Sequence, residues 1–398
     1  MPRSTPWCCV VCLLITPFGT AQEDGNAEAK TALAALKPFL GHFASEVWTS
    51  VNPNLHGQAV TEGYLVRNGS VAVFDTRLRT TSADDKLQQI GEMPFGRALR
   101  QRIVVFSDAK RGLVYHRLHA GWGMYDQGTV KRETNGTLTW LSSEPPTGYL
   151  GELRRVQWTL VGDALEFRGG PASEELPEKP NWRTHRTSDE SSVKTIPLDL
   201  SRLRTPTTVS PEEQKKRDEA QLRVAKMFEP FDHLSTNYYM SPGREFVNRS
   251  TKQRFFSQMI RLVRRSPSKS SISFSINFRG QPGDLPKEEL NKQPYFDEHQ
   301  RVHVMRMIYW NHRKQRLQQI SLNPLRGVQV RDVRITPERK FVLSPAPGSP
   351  YVATLTFQKD GLLIERTDKD GKALTDAWSK SIDNVVESHQ ITGLSPES

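Results

Sequence analysis

The chain repeats itself, and that repeat restricts its possible folds more than any other feature. Ala29, Ala32, Leu33 and Leu36 fall at helical spacing and lead into Pro38-Phe39. Gln221, Val224, Ala225 and Phe228 do the same and lead into Pro230-Phe231. The two sets stand 192 residues apart throughout, 29 to 221 and 39 to 231. Arg102-Ile-Val-Val-Phe106 then matches Arg306-Met-Ile-Tyr-Trp310, and a turn at Gly162-Asp163 ahead of Trp182 matches one at Asp360-Gly361 ahead of Trp378. A period this long means whole domains in tandem rather than the units of a solenoid. The 398 residues are enough for them.

After each leading helix the apolar period switches from 3.6 to 2. Ile272, Phe274, Ile276 and Phe278 alternate with Ser271, Ser273, Ser275 and Asn277, which predicts a half-buried strand. Ala72, Phe74, Thr76 and Leu78 alternate with Val71, Val73, Asp75, Arg77 and Arg79. Asn68-Gly69 and Asn135-Gly136 separate strand-like runs, as tight hairpins require. In Val328–Ile335 the apolar phase slips after Val330, which predicts a β-bulge. The expected fold class is therefore mainly β: two tandem antiparallel barrels of roughly 8–10 strands, each preceded by a short helix. The second helix opens on the capping box Ser210-Pro211-Glu212-Glu213.

Compartment is read from the first 21 residues. Arg3, the apolar run Trp7–Ile15 and Gly19-Thr20-Ala21 have the layout of a cleavable secretory signal, with the apolar core too short to span a bilayer. All three cysteines, Cys8, Cys9 and Cys12, lie inside it, so the mature protein is expected to have no disulfide and no thiolate chemistry. The expected division is signal 1–21, first barrel 22–183, a Thr/Ser/Pro/Asp-rich linker 184–210, second barrel 211–392 and tail 393–398. A hydrophilic composition (25% charged) excludes a polytopic membrane protein, and the expectation is a secreted or periplasmic one.

A helix followed by an antiparallel meander resembles the calycin superfamily of lipocalin-like barrels. Within it the first copy is most similar to the T-type phycobilin lyases (the CpcT/CpeT family). Their small-residue turn before Phe-Ser looks like Leu40-Gly41-His42-Phe43-Ala44-Ser45, and their Tyr-Arg-Gln-Arg strand looks like Leu99-Arg100-Gln101-Arg102. Leu99 replaces the tyrosine, and the second copy keeps only Arg306 of the arginine pair. The resemblance implies a barrel with a cavity, and it carries Arg100 as a candidate beside Arg102.

Arg102 and Arg306 open strands that are otherwise apolar on both faces. Such an arginine can hold a ligand carboxylate through a two-pronged fork, or reach water or a rim carboxylate at a strand end. Tyr115, Trp158 and Tyr309 pair apolar bodies with one polar handle, which suits either a cavity wall or a barrel core. The candidate ligand site is thus Arg100, Arg102, Tyr115 and Trp158 in the first copy, with Arg306 and Tyr309 in the second. His299 and His303, beside Asp297 and Glu298, are read as surface residues of a connection rather than metal ligands, and no cofactor is identified. His116 and His119 point to opposite faces of one strand. Arg244–Lys269 holds eight basic residues against Glu245; it reads as a basic loop, or as contact with an anionic surface rather than nucleic acid. No catalytic set is found.

These readings converge on an exported, non-catalytic pair of barrels binding a small apolar, acid-bearing ligand of tetrapyrrole or lipid type. A chromophore lyase and a ligand-free envelope protein are the alternatives.

Overall fold

In a computed structural model the described residues are 24–51, 54–81, 90, 95, 99–121, 123–146, 153–188, 211–234, 236–247, 253–266, 269–283, 285, 301–347, 350–374 and 380–386. The expected signal, most of the expected linker, the tail, His299 and Trp378 lie outside them.

Each half opens with a helix: α1 (Asp24–Leu33) and α2 (Pro211–Phe228). Both tighten into 3-10 turns, Ala34–Phe39 and Glu229–Phe231, around Pro38 and Pro230, whose missing N–H cannot continue an α-helix. The first half continues with β1 (Gly41–Ser45), β2 (Trp48–Val51), β3 (Asn54–Val66), β4 (Val71–Thr81), β5 (Gln101–Asp108) and β6 (Gly112–His119). Next come β7 (Met124–Arg132), β8 (Leu138–Ser142), β9 (Arg154–Val161), β10 (Ala164–Pro171) and β11 (Trp182–Thr187). The second half holds β12 (Thr236–Met240), β13 (Arg244–Val247), β14 (Arg254–Arg265), β15 (Ser271–Pro282), β16 (Val304–Asn311) and β17 (Arg316–Asn323). It ends with β18 (Gly327–Ile335), β19 (Phe341–Leu343), β20 (Val352–Phe357), β21 (Gly361–Thr367) and β22 (Lys380–Val386).

All strand pairs are antiparallel neighbours in sequence except at closure, where β1 joins β11 and β3, and β12 joins β22 and β14. The result is two closed ten-stranded barrels, each preceded by its helix, with β2 and β13 as side strands. Closure removes the unpaired edges that an open sheet would expose. The closing strand β11 crosses the 183/184 boundary drawn from composition.

Apolar residues of the leading helices plug one end of each barrel. Leu33, Leu36 and Phe39 pack with Phe43, Phe74 and Ile103, while Val224, Phe228 and Phe231 pack with Phe274, Ile308 and Phe341. The duplication extends to hydrogen bonds. Ser45 Oγ accepts the Ala59 N–H at 2.8 Å, Gln58 Nε2 donates to Ser45 O at 2.8 Å, and Arg79 Nε donates to Gln58 Oε1 at 3.0 Å. Ser241, Met259, Gln258 and Arg279 reproduce the set at 2.8, 3.0 and 3.0 Å.

The barrels also share a core. Outward residues of β3–β7, among them Tyr64, Val73, Val104, Leu118 and Tyr125, pack with Met305, Met307, Tyr309, Ile320 and Leu322 of β16 and β17. The expected half-buried strand β15 is consequently buried on both faces: Ser271, Ser273, Ser275 and Asn277 are all buried, and Ser275 Oγ accepts the Leu99 N–H at 3.3 Å. The expected bulge in Val328–Ile335 is absent. Residues 327–333 of β18 pair without interruption from Asn323↔Gly327 to Leu317↔Val333. The phase slips because Val328 and Val330 lie outward while Gln329 and Arg331 turn into the barrel.

Candidate functional site

Residues directly opposite each other on adjacent strands lie on the same face, so register decides which side chains enter each barrel. Phe74 pairs with Ile103 in the first barrel and Phe274 pairs with Arg306 in the second, and both phenylalanines are core residues. Arg306 is therefore the counterpart of Ile103 and points inward, whereas Arg102 is one residue out of phase and points outward. A one-residue shift reverses every side chain in a strand.

The same reasoning places four arginines inside the second barrel. Arg261 pairs with Ile276, Arg331 with Gln319, and Arg366 with Ala353, all on the face that carries the core. They join Arg306 on the side of the barrel away from α2; on their strands Val263, Ile308, Val333 and Ile364 lie one step nearer the helix. The first barrel has Thr61, Ile103, Gly128 and Gly169 at these places. Among the described residues of these strands, the inward carboxylate is Asp383, which is fully buried and ion-paired with Arg261. Arg306 Nε donates to Ser321 Oγ at 3.3 Å. Arg331 donates to Ser344 O at 2.6 Å, and both Arg331 and Arg366 stand over the Tyr351 ring, 5.2 and 5.6 Å from its centre.

Burial penalises these charges and their mutual repulsion adds to it. Arg261 is held well below the usual arginine value by burial, then by Arg306, Arg366 and Arg244. Burial likewise lowers Arg306, and lowers Arg331 to about 10. Buried charges are normally paired, so a cluster of four cations around one acid is an arrangement suited to an incoming anion.

The first barrel handles its interior differently. Arg117, in the same layer, meets Asp126 at 2.5 Å, and Tyr115 donates to Asp126 at 2.9 Å, so the charges cancel internally. Burial and then Asp126 push the Tyr115 phenol above its ordinary value. Trp158 lies tilted against Trp140 at 4.3 Å and meets Phe74 and Phe167 edge-on at 5.2 Å, and Tyr115 reaches Trp140 at 5.4 Å. Aromatic rings occupy the middle of this barrel.

The six residues singled out in the sequence thus separate. Tyr115 and Trp158 lie inside the first barrel, joined through Trp140, and Arg306 lies inside the second. Arg102 and Tyr309 lie between the barrels, not within them, because their faces of β5 and β16 form the shared core. Arg100 lines a crevice between the barrels. Arg331, Arg366 and Asp383 were not identified from the sequence and Arg261 was read only as part of the basic run; the phase slip at Val330 was the trace of Arg331. The described part of the Arg244–Lys269 run is mainly the strand β14 rather than a loop, and its described arginines present no single basic face; Arg249 and Lys252 lie outside the described residues. Arg261 turns inward, Arg264 turns to the crevice, Arg265 pairs with Asp232 and donates to Ala225 O of α2, and Arg254 pairs with Glu245 at 2.6 Å. His303 Nδ1 accepts the Phe278 N–H at 3.0 Å, and no group of metal-binding side chains occurs among the described residues. Nor, among them, is any helix long and apolar enough to cross a membrane.

No family model and no curated protein matches this chain. Among solved structures, a protein of unknown function from the DUF3598 family of Nostoc punctiforme is 8% identical, covering 88% of this chain and 96% of its own, with a TM-score of 0.19. A putative AttH from Nitrosomonas europaea is 9% identical over 87% of this chain and 91% of its own, with a TM-score of 0.13. At these scores neither likeness bears on activity.

Proposed function

We propose that this is a non-catalytic binding protein whose second barrel takes the acidic group of a small, mainly apolar ligand, while the first barrel buttresses it. The observation that carries the reading is the set Arg261, Arg306, Arg331 and Arg366, turned inward around the carboxylate of Asp383, the one inward carboxylate among the described residues of these strands. Guanidinium forks match carboxylate and phosphate geometry, and an apolar wall below them supplies affinity for a hydrocarbon body. The apolar residues beside the arginines are Ile276, Val304, Leu343 and Ala353 of the packed core. Tyr115 and Trp158 then serve the first barrel's packing. The Trp7–Ile15 run ahead of Gly19-Thr20-Ala21 supports delivery outside the cytoplasm.

The test is titration of the full chain with palmitate, with biliverdin, and with hexadecanol as the uncharged comparison. Palmitate or biliverdin binding that weakens about tenfold or more in Arg306→Gln supports the reading. Equal affinity for palmitate and hexadecanol, or no effect of Arg306→Gln, overturns it. A preference for biliverdin would favour the tetrapyrrole class, on which the lyase alternative also depends.

A further inference from the structure

The arginine cluster of the second barrel continues onto the rim of its mouth, on the side away from α2. Arg306 pairs with Ser321, and two residues beyond Ser321 the chain turns from β17 into β18 through Asn323, Pro324, Leu325 and Arg326. The Arg326 N–H donates to Asn323 O at 3.1 Å and the Leu325 N–H to Asn323 Oδ1 at 2.9 Å, with Pro324 at the second turn position. Gly327 then supplies the positive φ of 86° on which the strand returns. Arg326 is exposed at the tip of this turn, and among the described residues its guanidinium has no hydrogen bond or ion pair.

Arg306 presents a free fork beside it. Its Nε donates to Ser321 Oγ, while its two terminal nitrogens have no partner among the described residues and are reached from solvent. Burial lowers the Arg306 pKa, and the charges of Arg366 and Arg326 lower it further. Five guanidiniums thus gather at the mouth, those of Arg261, Arg306, Arg326, Arg331 and Arg366, against the inward carboxylate of Asp383. The outward acid on the strand of Arg366, Glu365, is held by Lys380 at 3.6 Å. A ligand with a lone carboxylate leaves three of these five charges uncompensated, and one with a doubly ionised phosphate leaves two. Like charges brought together favour the partner that cancels more of them.

We propose that the acidic head recognised at this mouth carries two charges on one centre, as in an alkyl phosphate monoester, and that Arg326 selects it over a lone carboxylate. The inference rests on the reading of the second barrel as a ligand site and adds the chemistry of the head to it. The head is held at the open rim, where Arg306, Arg326 and Arg366 all reach solvent, so its recognition needs no enclosed space. The Arg306 fork matches two phosphate oxygens side by side, which leaves a further oxygen for Arg326.

Titration of the full chain at pH 8, where a phosphate monoester carries about two charges, with hexadecyl phosphate, palmitate, hexadecanol and inorganic phosphate tests this. Hexadecyl phosphate bound about tenfold or more tighter than palmitate, with that ratio falling to about threefold or less in Arg326→Gln, is the expected result. The exposed side chain of Arg326 makes no bond that the fold uses, so the variant keeps its structure. Palmitate bound as tightly as hexadecyl phosphate, but more tightly than hexadecanol, overturns the inference and leaves the ligand site standing. So does a ratio that Arg326→Gln does not move. Equal affinity for palmitate and hexadecanol, or no saturable binding of any of the four, overturns the underlying reading as well. Inorganic phosphate bound as tightly as hexadecyl phosphate overturns both, because the hydrocarbon body would then contribute nothing.

Discussion

Arg102 and Asp75 meet as a two-pronged pair sealed inside the molecule: Nε donates to Oδ1 at 2.7 Å and a terminal nitrogen to Oδ2 at 2.6 Å, with the arginine fully buried. The same guanidinium donates to Val302 O and His303 O of the second barrel, and Tyr64 donates to Asp75 at 2.9 Å. Nearby, Arg301 of the second barrel donates to Glu62 of the first at 2.7 Å. Burial alone would lower the Arg102 pKa, but Asp75 reverses the sign and holds it above the ordinary value. Arg102 thus joins the two barrels.

Removing one member of such a pair strands the other. Arg102→Met should cost about 3–5 kcal/mol of stability. The counterparts of Arg102 and Asp75 in the second barrel are Met305 and Ser275. The double variant Arg102→Met/Asp75→Ser should therefore recover at least about 1 kcal/mol of that loss. Denaturant unfolding of the two variants checks both numbers.

The arginine cluster inside the second barrel predicts opposite effects on stability and binding. Arg306→Gln removes a cation repelled by Arg366 and Arg326 and opposed by burial. The ligand-free protein should gain about 1 kcal/mol while affinity for palmitate falls. Thermal melts of the variant with and without palmitate would show the crossing.

Two partly buried histidines predict acid sensitivity. Burial, and then Arg111, lowers His116 to about 4, while burial, Arg100 and Arg117 hold His119 well below its usual value. In the unfolded chain both titrate near the ordinary histidine value of 6.5. Between those values the unfolded state binds more protons, so stability is present above pH 6.5 and is lost as pH falls toward 4. The His116 share is at most about 3 kcal/mol, and His116→Gln should flatten the stability profile in that window.

The repeated serine–glutamine–arginine set predicts matched losses. Gln58→Ala and Gln258→Ala each remove the acceptor that Arg79 and Arg279 use and the donor to the neighbouring serine carbonyl. Each should cost about 1–3 kcal/mol. Similar changes in the two unfolding midpoints would confirm that both sets bear on stability alike.

The arginines show how much of the site was legible. Matching Arg102 with Arg306 by their similar pentapeptides was off by one rung, which put one arginine on the wrong side of its barrel. The spacing between the copies changes along the chain wherever loops differ in length, and local similarity cannot fix a strand to the nearest residue. Only lateral pairing, Phe74↔Ile103 against Phe274↔Arg306, resolves it. The Val330 phase slip was visible, but a bulge and a polar interior write the same pattern along one strand.

Local sequence determined the duplication, the leading helices, the strand-rich meander and the inward stripes of β4 and β15, because each depends on periodicity and turn chemistry within a few residues. Tertiary structure alone decided which face of each barrel meets the other, which arginines are enclosed together and which are paired off. Those outcomes depend on strand register and on contacts between residues some 200 positions apart, such as Arg102 with Val302. No short stretch of chain encodes them.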